Sequence, residues 1–132
     1  MSDLEVWVEA VVERAVESGC ADRLSVRRER TGDDPVVLVD LAEGHVLSLR
    51  VKGERRVQFT LDGSGVLEVD SGDGDRLDLE WLLMAYCAAE LEVEVDLRLG
   101  QFRAFRRGDD VFYLSQPLFA RWWGPREWRR ID

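Results

Sequence analysis

The sequence holds few of the residues on which catalytic and metal sites depend. Its 132 residues include one histidine, two cysteines and three prolines. The cysteines form no CxxC pair and neither has the histidine nearby in sequence, so the spacings typical of zinc sites and of catalytic Cys–His pairs are missing. Glycine-rich phosphate loops, the GxSxG elbow and the HExxH helix are missing as well. We therefore expect no enzyme, no cofactor and no resident metal ion.

The histidine and the cysteines fit structural roles. His45 lies beside Gly44 in a predicted turn, where we interpret it as a solvated turn residue and not as a general base. Cys20 and Cys87 lie in apolar helical patterns, which favours two reduced, buried thiols in a cytoplasmic protein. An enzyme that uses Cys20 or His45 is a third hypothesis, and it requires a perturbed pKa in a pocket.

Long apolar runs and calcium-binding loops are also lacking. No run approaches the roughly 20 apolar residues that a helix needs to span a bilayer, and the N-terminus lacks the pattern of a signal peptide. Residues 62–65 and 70–80 are acidic, but Gly72 and Gly74 stand where a calcium loop needs oxygen ligands. We interpret both segments as turns and helix caps, and we expect a cytoplasmic protein that does not bind membranes.

Acidic side chains outnumber basic ones by 27 to 18, which gives a formal net charge of −9. Such a charge weakens attraction to phosphate backbones and anionic lipids, so nucleic acid and membranes are not expected partners. Residues 1–97 sum to −13, whereas residues 98–132 sum to +4. The split indicates either two differently charged faces or a match of charges within the molecule.

A hydrophobic fraction of 45% and five tryptophans are typical of a packed core, and the length predicts one α+β domain over residues 1–132. Residues 3–18 predict an amphipathic helix with a capping box at Ser2 and Glu5 and a C-cap at Gly19. Its apolar face is Leu4, Trp7, Val8, Val11, Val12 and Ala15. Its opposite face is an acidic row: Glu5, Glu9, Glu13 and Glu17.

The pattern then changes to alternation, which predicts an antiparallel meander of about five strands between Leu24 and Val69. A central apolar helix follows, capped by Asp75 or Asp78 and ending near Glu90. Because it is apolar on most sides, we expect the sheet to cover one side and either the first helix or a second copy of the chain to cover the rest. The second possibility predicts a homodimer.

Residues 91–99, 102–107 and 111–114 predict further antiparallel strands, and Pro117 opens a short C-terminal helix or irregular tail. This tail combines arginine with Trp122, Trp123 and Trp128, the side-chain types most enriched at binding hot spots. Two alternatives stay open: the tryptophans cap the core, or the arginines pair with the acidic first helix. Single-stranded nucleic acid also suits such a stretch but conflicts with the net charge.

In size, acidity and element order the chain resembles the small acidic chaperones of type III secretion systems and the related YbjN-like proteins. No sequence motif carries this resemblance, which is one of architecture. It implies a dimer formed through the central helix, residues 79–90, and an extended client segment bound on the apolar sheet face.

From these patterns we expect a protein-binding module, a small acidic chaperone or adaptor that is a homodimer. The alternative is an immunity protein that neutralises a toxin through an acidic surface, either the first-helix row or Glu92, Glu94 and Asp96. The partner is another protein, whose identity the sequence does not give. The predicted partner-binding residues are Trp81, Leu82, Tyr86, Trp122, Trp123, Arg126, Trp128, Glu9 and Glu13.

Overall fold

A computed structural model describes residues 2–42, 44–70, 72–98, 100–113 and 125–132, without the side chains of residues 64–67, 73 and 113. Two helices and two antiparallel sheets confirm the α+β prediction. In chain order the elements are α1 (Asp3–Ser18), a short 3-10 helix (Ala21–Arg23), β1 (Leu24–Thr31), β2 (Asp34–Leu41), β3 (His45–Lys52), β4 (Arg56–Leu61), β5 (Ser64–Asp70), α2 (Asp73–Cys87), β6 (Leu91–Asp96), β7 (Phe102–Arg107), β8 (Asp110–Tyr113) and β9 (Arg126–Ile131).

The predicted meander is confirmed as a five-stranded sheet in the order β1-β2-β3-β4-β5. The alternation of side chains places one set on the buried face, because successive residues of a strand point to opposite sides. That set is Val37, Val39, Leu41, Leu47, Leu49, Val51, Val57, Phe59, Leu61 and Val69. The second sheet has the order β8-β7-β6-β9, and Phe105 of β7 meets Phe59 of β4 edge to face at 5.9 Å.

Helix α1 begins and ends as predicted. The Ser2 hydroxyl accepts a hydrogen bond from the Glu5 backbone N–H at 3.2 Å, and Gly19 is the C-cap. Gly19 is needed for close approach and not for a left-handed backbone, since its φ is −98°. A Cβ at this position would lie 2.3 Å from the carbonyl oxygen of Cys87, so the ends of α1 and α2 touch backbone to backbone here.

The first helix packs against α2 and covers part of its surface, although Leu77 of α2 stays exposed. The Arg76 guanidinium lies over the Trp7 ring at 5.1 Å, Arg14 pairs with Glu80 at 3.5 Å, and Ser18 contacts the Met84 sulfur at 3.5 Å. Of the two covers expected for the central helix, the structure therefore supplies the first helix from the same chain.

Among the described helices, none combines the length and the apolar character needed to cross a lipid bilayer.

The predicted start of α2 is wrong. The helix begins at Asp73 with Gly72 as N-cap and without a side-chain cap. The Asp75 carboxylate instead accepts the backbone N–H of Asp70 at 2.9 Å, so it fixes the connection that leaves β5. The helix ends at Cys87, three residues before the predicted Glu90.

The predicted C-terminal helix or irregular tail is also wrong for residues 126–131, which form strand β9 beside β6. Residues 114–124 lie outside the described part of the chain. The ladder places Arg126 opposite Asp96 and Arg130 opposite Glu92, and opposite charges across a ladder stabilise the pairing of strands. This cross-strand match is the physical reason for a strand where the Pro and Trp content suggested a tail.

Candidate partner-binding groove

A groove of about 410 Å³ runs between helix α1 and strand β1. Its floor is apolar and its rims are charged. The residues that line it are Glu9, Val12, Glu13, Val16, Glu17, Val26 and Arg28. The groove combines an apolar floor with charged side chains at its rims, which suits contact with another macromolecule.

The short connection between α1 and β1 positions the two walls of the groove. The N–H of Cys20 donates to the carbonyl oxygen of Cys87 at 2.9 Å, and the N–H of Ala42 donates to the carbonyl oxygen of Arg23 at 2.8 Å. Because the chain reverses at this pinned connection, α1 and β1 run side by side in opposite directions.

A bidentate ion pair joins the two walls at one end. The Arg28 guanidinium on β1 donates to both carboxylate oxygens of Glu9 on α1, at 2.9 and 2.7 Å. The hydrogen bonds from Arg28 hold the pKa of Glu9 below its usual range, although partial burial opposes them. The Glu9 carboxylate is therefore already paired within the chain and is not available to a partner.

The other end of the groove carries free negative charge. Glu13 and Glu17 follow Glu9 at one-turn spacing on α1 and are exposed, and neither forms an ion pair with the described residues. They flank Val12, Val16 and Val26, of which Val12 is buried and the others are half-buried. Two carboxylates beside an apolar floor can hold a cationic side chain whose aliphatic stem lies on the valines.

Strand β1 forms the open wall of the groove. It is the terminal strand of its sheet, and among the described residues only β2 pairs with it. Its last five residues are all exposed. A terminal strand presents unpaired backbone N–H and C=O groups to any extended chain that can reach them.

Two of the predicted partner-binding residues are part of the core of the chain. Leu82 and Tyr86 are 0% exposed, and the Tyr86 hydroxyl donates to the carbonyl oxygen of Val39 at 2.7 Å. In this conformation they offer no surface to a partner. Trp81 is half-buried and packs against the Phe112 ring at 6.5 Å, so it caps the same core.

Two of the predicted arginine and tryptophan residues, Arg126 and Trp128, lie on the outer face of the second sheet. Trp128 is half-buried beneath the Arg106 guanidinium, 4.0 Å from its ring centre. Arg126 is exposed and lies 3.8 Å from the Glu94 carboxylate. Trp122 and Trp123 lie outside the described residues. Glu9 and Glu13 lie at the α1–β1 groove, so the predicted residues divide among three places.

Described arginines of the C-terminal third, among them Arg106, Arg107 and Arg126, pair with acidic residues on or next to β6. Arg106 pairs with both oxygens of Glu92 at 3.3 and 2.8 Å, and Arg107 pairs with Glu90 at 3.3 Å. The Arg106 hydrogen bonds hold the pKa of Glu92 below its usual range. The uneven charge of the sequence is thus partly matched within the molecule, which takes Glu92 and Glu94 out of the available acidic surface.

His45 contacts Asp62, whereas Cys20 and Cys87 lie near each other where the ends of α1 and α2 meet. His45 Nδ1 lies 2.8 Å from a carboxylate oxygen of Asp62, whose other oxygen accepts the Val46 N–H at 2.7 Å. Cys20 lies outside the helices and is half-buried, contrary to the prediction, with its thiol 3.7 Å from the carbonyl oxygen of Ala88. Cys87 is buried at the end of α2. Over the described residues, no group of three or more His, Cys, Asp or Glu side chains is placed to hold a metal ion.

Thiol labelling should separate the two cysteines. Burial raises the pKa of Cys87 to about 12, and its side chain is 0% exposed, so it presents almost no thiolate to a reagent at pH 8. We expect iodoacetamide to modify Cys20 in the native protein and Cys87 only after unfolding in urea, as read by mass spectrometry of tryptic peptides. Native labelling of Cys87 at the rate of Cys20 would contradict the packing of α2.

Sequence patterns missed Val16, Val26 and Arg28 as groove residues. The acidic row on α1 was visible, but the opposite wall depends on the position of β1 in the sheet. A signal was present in Arg27, Arg28, Glu29 and Arg30, since a run of charges through a strand is typical of a sheet edge.

Comparisons of the chain with protein-family models, with curated proteins and with solved structures find no match. The resemblance to secretion chaperones therefore rests on size, acidity and element order, and it stays a prediction.

Proposed function

We propose that this chain is a non-enzymatic protein-binding module, a small chaperone or adaptor that holds a basic partner protein in the α1–β1 groove. The observation that carries the proposal is the pair of exposed carboxylates, Glu13 and Glu17, beside the apolar floor of the groove. A net charge of −9 adds long-range attraction for a basic partner and speeds its association.

The groove is favoured over the other predicted surfaces because its groups are available. Glu92 and Glu94 pair with arginines of the same sheet, and Leu82 and Tyr86 are buried. The argument for the expected homodimer is weaker, since α1 covers part of the apolar surface of α2, although Leu77 of α2 stays 68% exposed. The partner is thus more reasonably a different protein than a second copy joined through α2.

The immunity-protein alternative uses the same acidic helix. A toxin would bring a folded basic surface to α1, whereas a chaperone or adaptor client would bring a flexible basic segment into the groove. The apolar floor favours the segment, because a flat ionic contact to the helix face makes no use of Val12, Val16 and Val26.

The proposal is tested by cross-linked capture from the native cell extract at low salt with three forms of the chain. The variant Glu13→Gln with Glu17→Gln removes the two free carboxylates of the groove. The control Glu54→Gln with Asp109→Asn removes two exposed charges from distant turns and gives the same net charge. We expect one set of proteins to be captured by the wild type and by the control and to be lost with the groove variant.

The proposal is tested by the difference between the proteins captured by the three forms, since capture by the wild type alone does not identify the binding surface. Identical captured sets for the wild type and the groove variant would rule out the groove as the binding surface. If the groove variant and the control lost captured proteins to the same extent, Glu13 and Glu17 would act only through the net charge of the chain.

A further inference from the structure

We infer that the groove takes an extended segment with lysine or arginine at every second position, and that this segment adds to the sheet as a strand beside β1. The inference rests on the proposed function and specifies the chemistry of the partner. Three features carry it: the open edge of β1, the spacing of the free carboxylates, and the apolar floor between them.

The open edge supplies the main-chain part of the interaction. Strand β1 is terminal in its sheet, and the described residues place no strand on its outer side. An extended peptide can therefore form a ladder with β1, in which main-chain hydrogen bonds give affinity and alternate side chains give specificity. Every second side chain of the added strand then points toward α1, on the face that Val26 and Arg28 share in β1.

The carboxylates repeat at the spacing of an extended chain. Glu13 and Glu17 are four residues apart, which is about 6 Å along a helix. Side chains two residues apart on a strand are about 6.6 Å apart. Because α1 runs alongside β1, two successive groove-facing residues of the added strand reach the two carboxylates together.

Lysine and arginine match both the floor and the rim. Their aliphatic stems cover apolar surface while their charged heads reach toward polar groups. In the groove, the stems would lie on Val12, Val16 and Val26, and the heads would meet Glu13 and Glu17. Of the three arginines of β1, Arg28 is held by Glu9 and Arg27 by Asp40 at 2.7 Å. Arg30 donates to the carbonyl oxygen of Asp33 and lies beyond Arg28, at the end of β1 away from Glu13 and Glu17.

A second copy of the chain fits the edge less well. Two copies each carry a charge of −9 and repel at low salt.

The test uses a fluorescent ten-residue peptide of alternating lysine and threonine, with an alternating glutamate–threonine peptide as its control. Fluorescence anisotropy at low salt should show binding of the lysine peptide only. The Glu13→Gln, Glu17→Gln variant should weaken it by roughly tenfold, equivalent to about 1.4 kcal/mol. The Glu54→Gln, Asp109→Asn control should bind within about twofold of the wild type, because it leaves the groove intact.

Backbone methylation tests strand addition separately from charge. In an extended chain the amides of alternate residues point to opposite edges, so only one set can pair with β1. We expect N-methylation of one alternate set to abolish binding and methylation of the other set to preserve it.

The remaining outcomes separate the inference from the function on which it rests. Equal tolerance of both methylated peptides, with binding still lost in the groove variant, would overturn strand addition and leave the acidic groove as the binding surface. Absence of lysine-peptide binding would overturn the inference, while captured proteins that depend on Glu13 and Glu17 would preserve the proposed function. A concentration-dependent dimer, abolished by Glu13→Gln with Glu17→Gln, would assign the edge to a second copy instead.

Discussion

Replacing Gly19 with alanine is expected to lower the free energy of unfolding by about 3 kcal/mol. The new Cβ would lie 2.3 Å from the carbonyl oxygen of Cys87 and 2.7 Å from its carbonyl carbon. Both contacts are with backbone, which has no rotamer through which to move away. Relief requires the ends of α1 and α2 to separate, and this also stretches the bond from the Cys20 N–H to the Cys87 carbonyl. Urea denaturation followed by circular dichroism measures the effect.

The matched control for this substitution is Gly74→Ala in the first turn of α2. A Cβ at Gly74 meets nothing within 4 Å, and the backbone there is not left-handed. Since alanine is a better helix former than glycine, this change should be neutral or stabilise the protein by up to about 1 kcal/mol. If Gly19→Ala were as stable as the wild type, the close contact between the two helix ends would be wrong.

Helix α1 has two separate tasks, and this division connects the fold to the proposed function. Its apolar face, with Leu4, Val8 and Val11, is buried in the core. A second side contacts α2 through Trp7 and Arg14. The third side of the helix carries the acidic row and faces β1. One helix therefore packs against α2 and also forms one wall of the groove beside β1.

The parts of the fold that sequence predicted depend on local pattern. The strict alternation of Val57, Phe59 and Leu61 with polar residues determines which face of β4 is buried, and the 3.6-residue period of 3–18 does the same for α1. Ser2 identified the helix start because its hydroxyl acts on an N–H only three residues away. Such features need no knowledge of distant parts of the chain.

The parts that failed depend on contacts between distant residues. Strand β9 forms because Arg126, Trp128 and Arg130 meet the acidic face of β6, some 35 residues earlier in the chain. Helix α2 does not begin at the predicted cap, because the Asp75 carboxylate accepts the Asp70 N–H and so does not cap the helix. In both cases a side chain had two possible partners, and tertiary packing selected the one that local pattern did not indicate.

The candidate site shows the same division. The acidic row was readable from four glutamates at helical spacing, and Glu9 and Glu13 were among the predicted partner-binding residues. The sequence did not show which of these glutamates is paired, because Arg28 of β1 pairs with Glu9 of α1 and leaves Glu13 and Glu17 available. The groove exists only when β1 takes the terminal place in its sheet.

Stability should fall steeply in alkaline solution, because two buried acidic protons must stay in place in the folded chain. Burial, followed by the nearby Cys20, raises the pKa of Cys87 to about 12 from its ordinary 9.0. Burial likewise raises the pKa of Tyr86 above its ordinary 10.0. In the unfolded chain each group ionises at its ordinary pKa, so unfolding then releases a proton that folding retains. The stabilisation is complete below pH 9 and is lost as pH rises toward the folded-state pKa.

The expected slope is about 1.4 kcal/mol of unfolding free energy for each pH unit between 9 and 12 for Cys87, with Tyr86 adding a similar slope above pH 10. Urea denaturation at half-unit steps from pH 7.5 to 11 measures it. The variant Cys87→Ala should flatten the curve between pH 9 and 10, and Tyr86→Phe should reduce the slope above pH 10. Cys20→Ala serves as the matched thiol control, because it leaves the Cys87 proton buried and should keep the decline. Parallel curves for the wild type and Cys87→Ala would mean that water reaches this thiol in the folded chain, which is incompatible with the contact between the ends of α1 and α2.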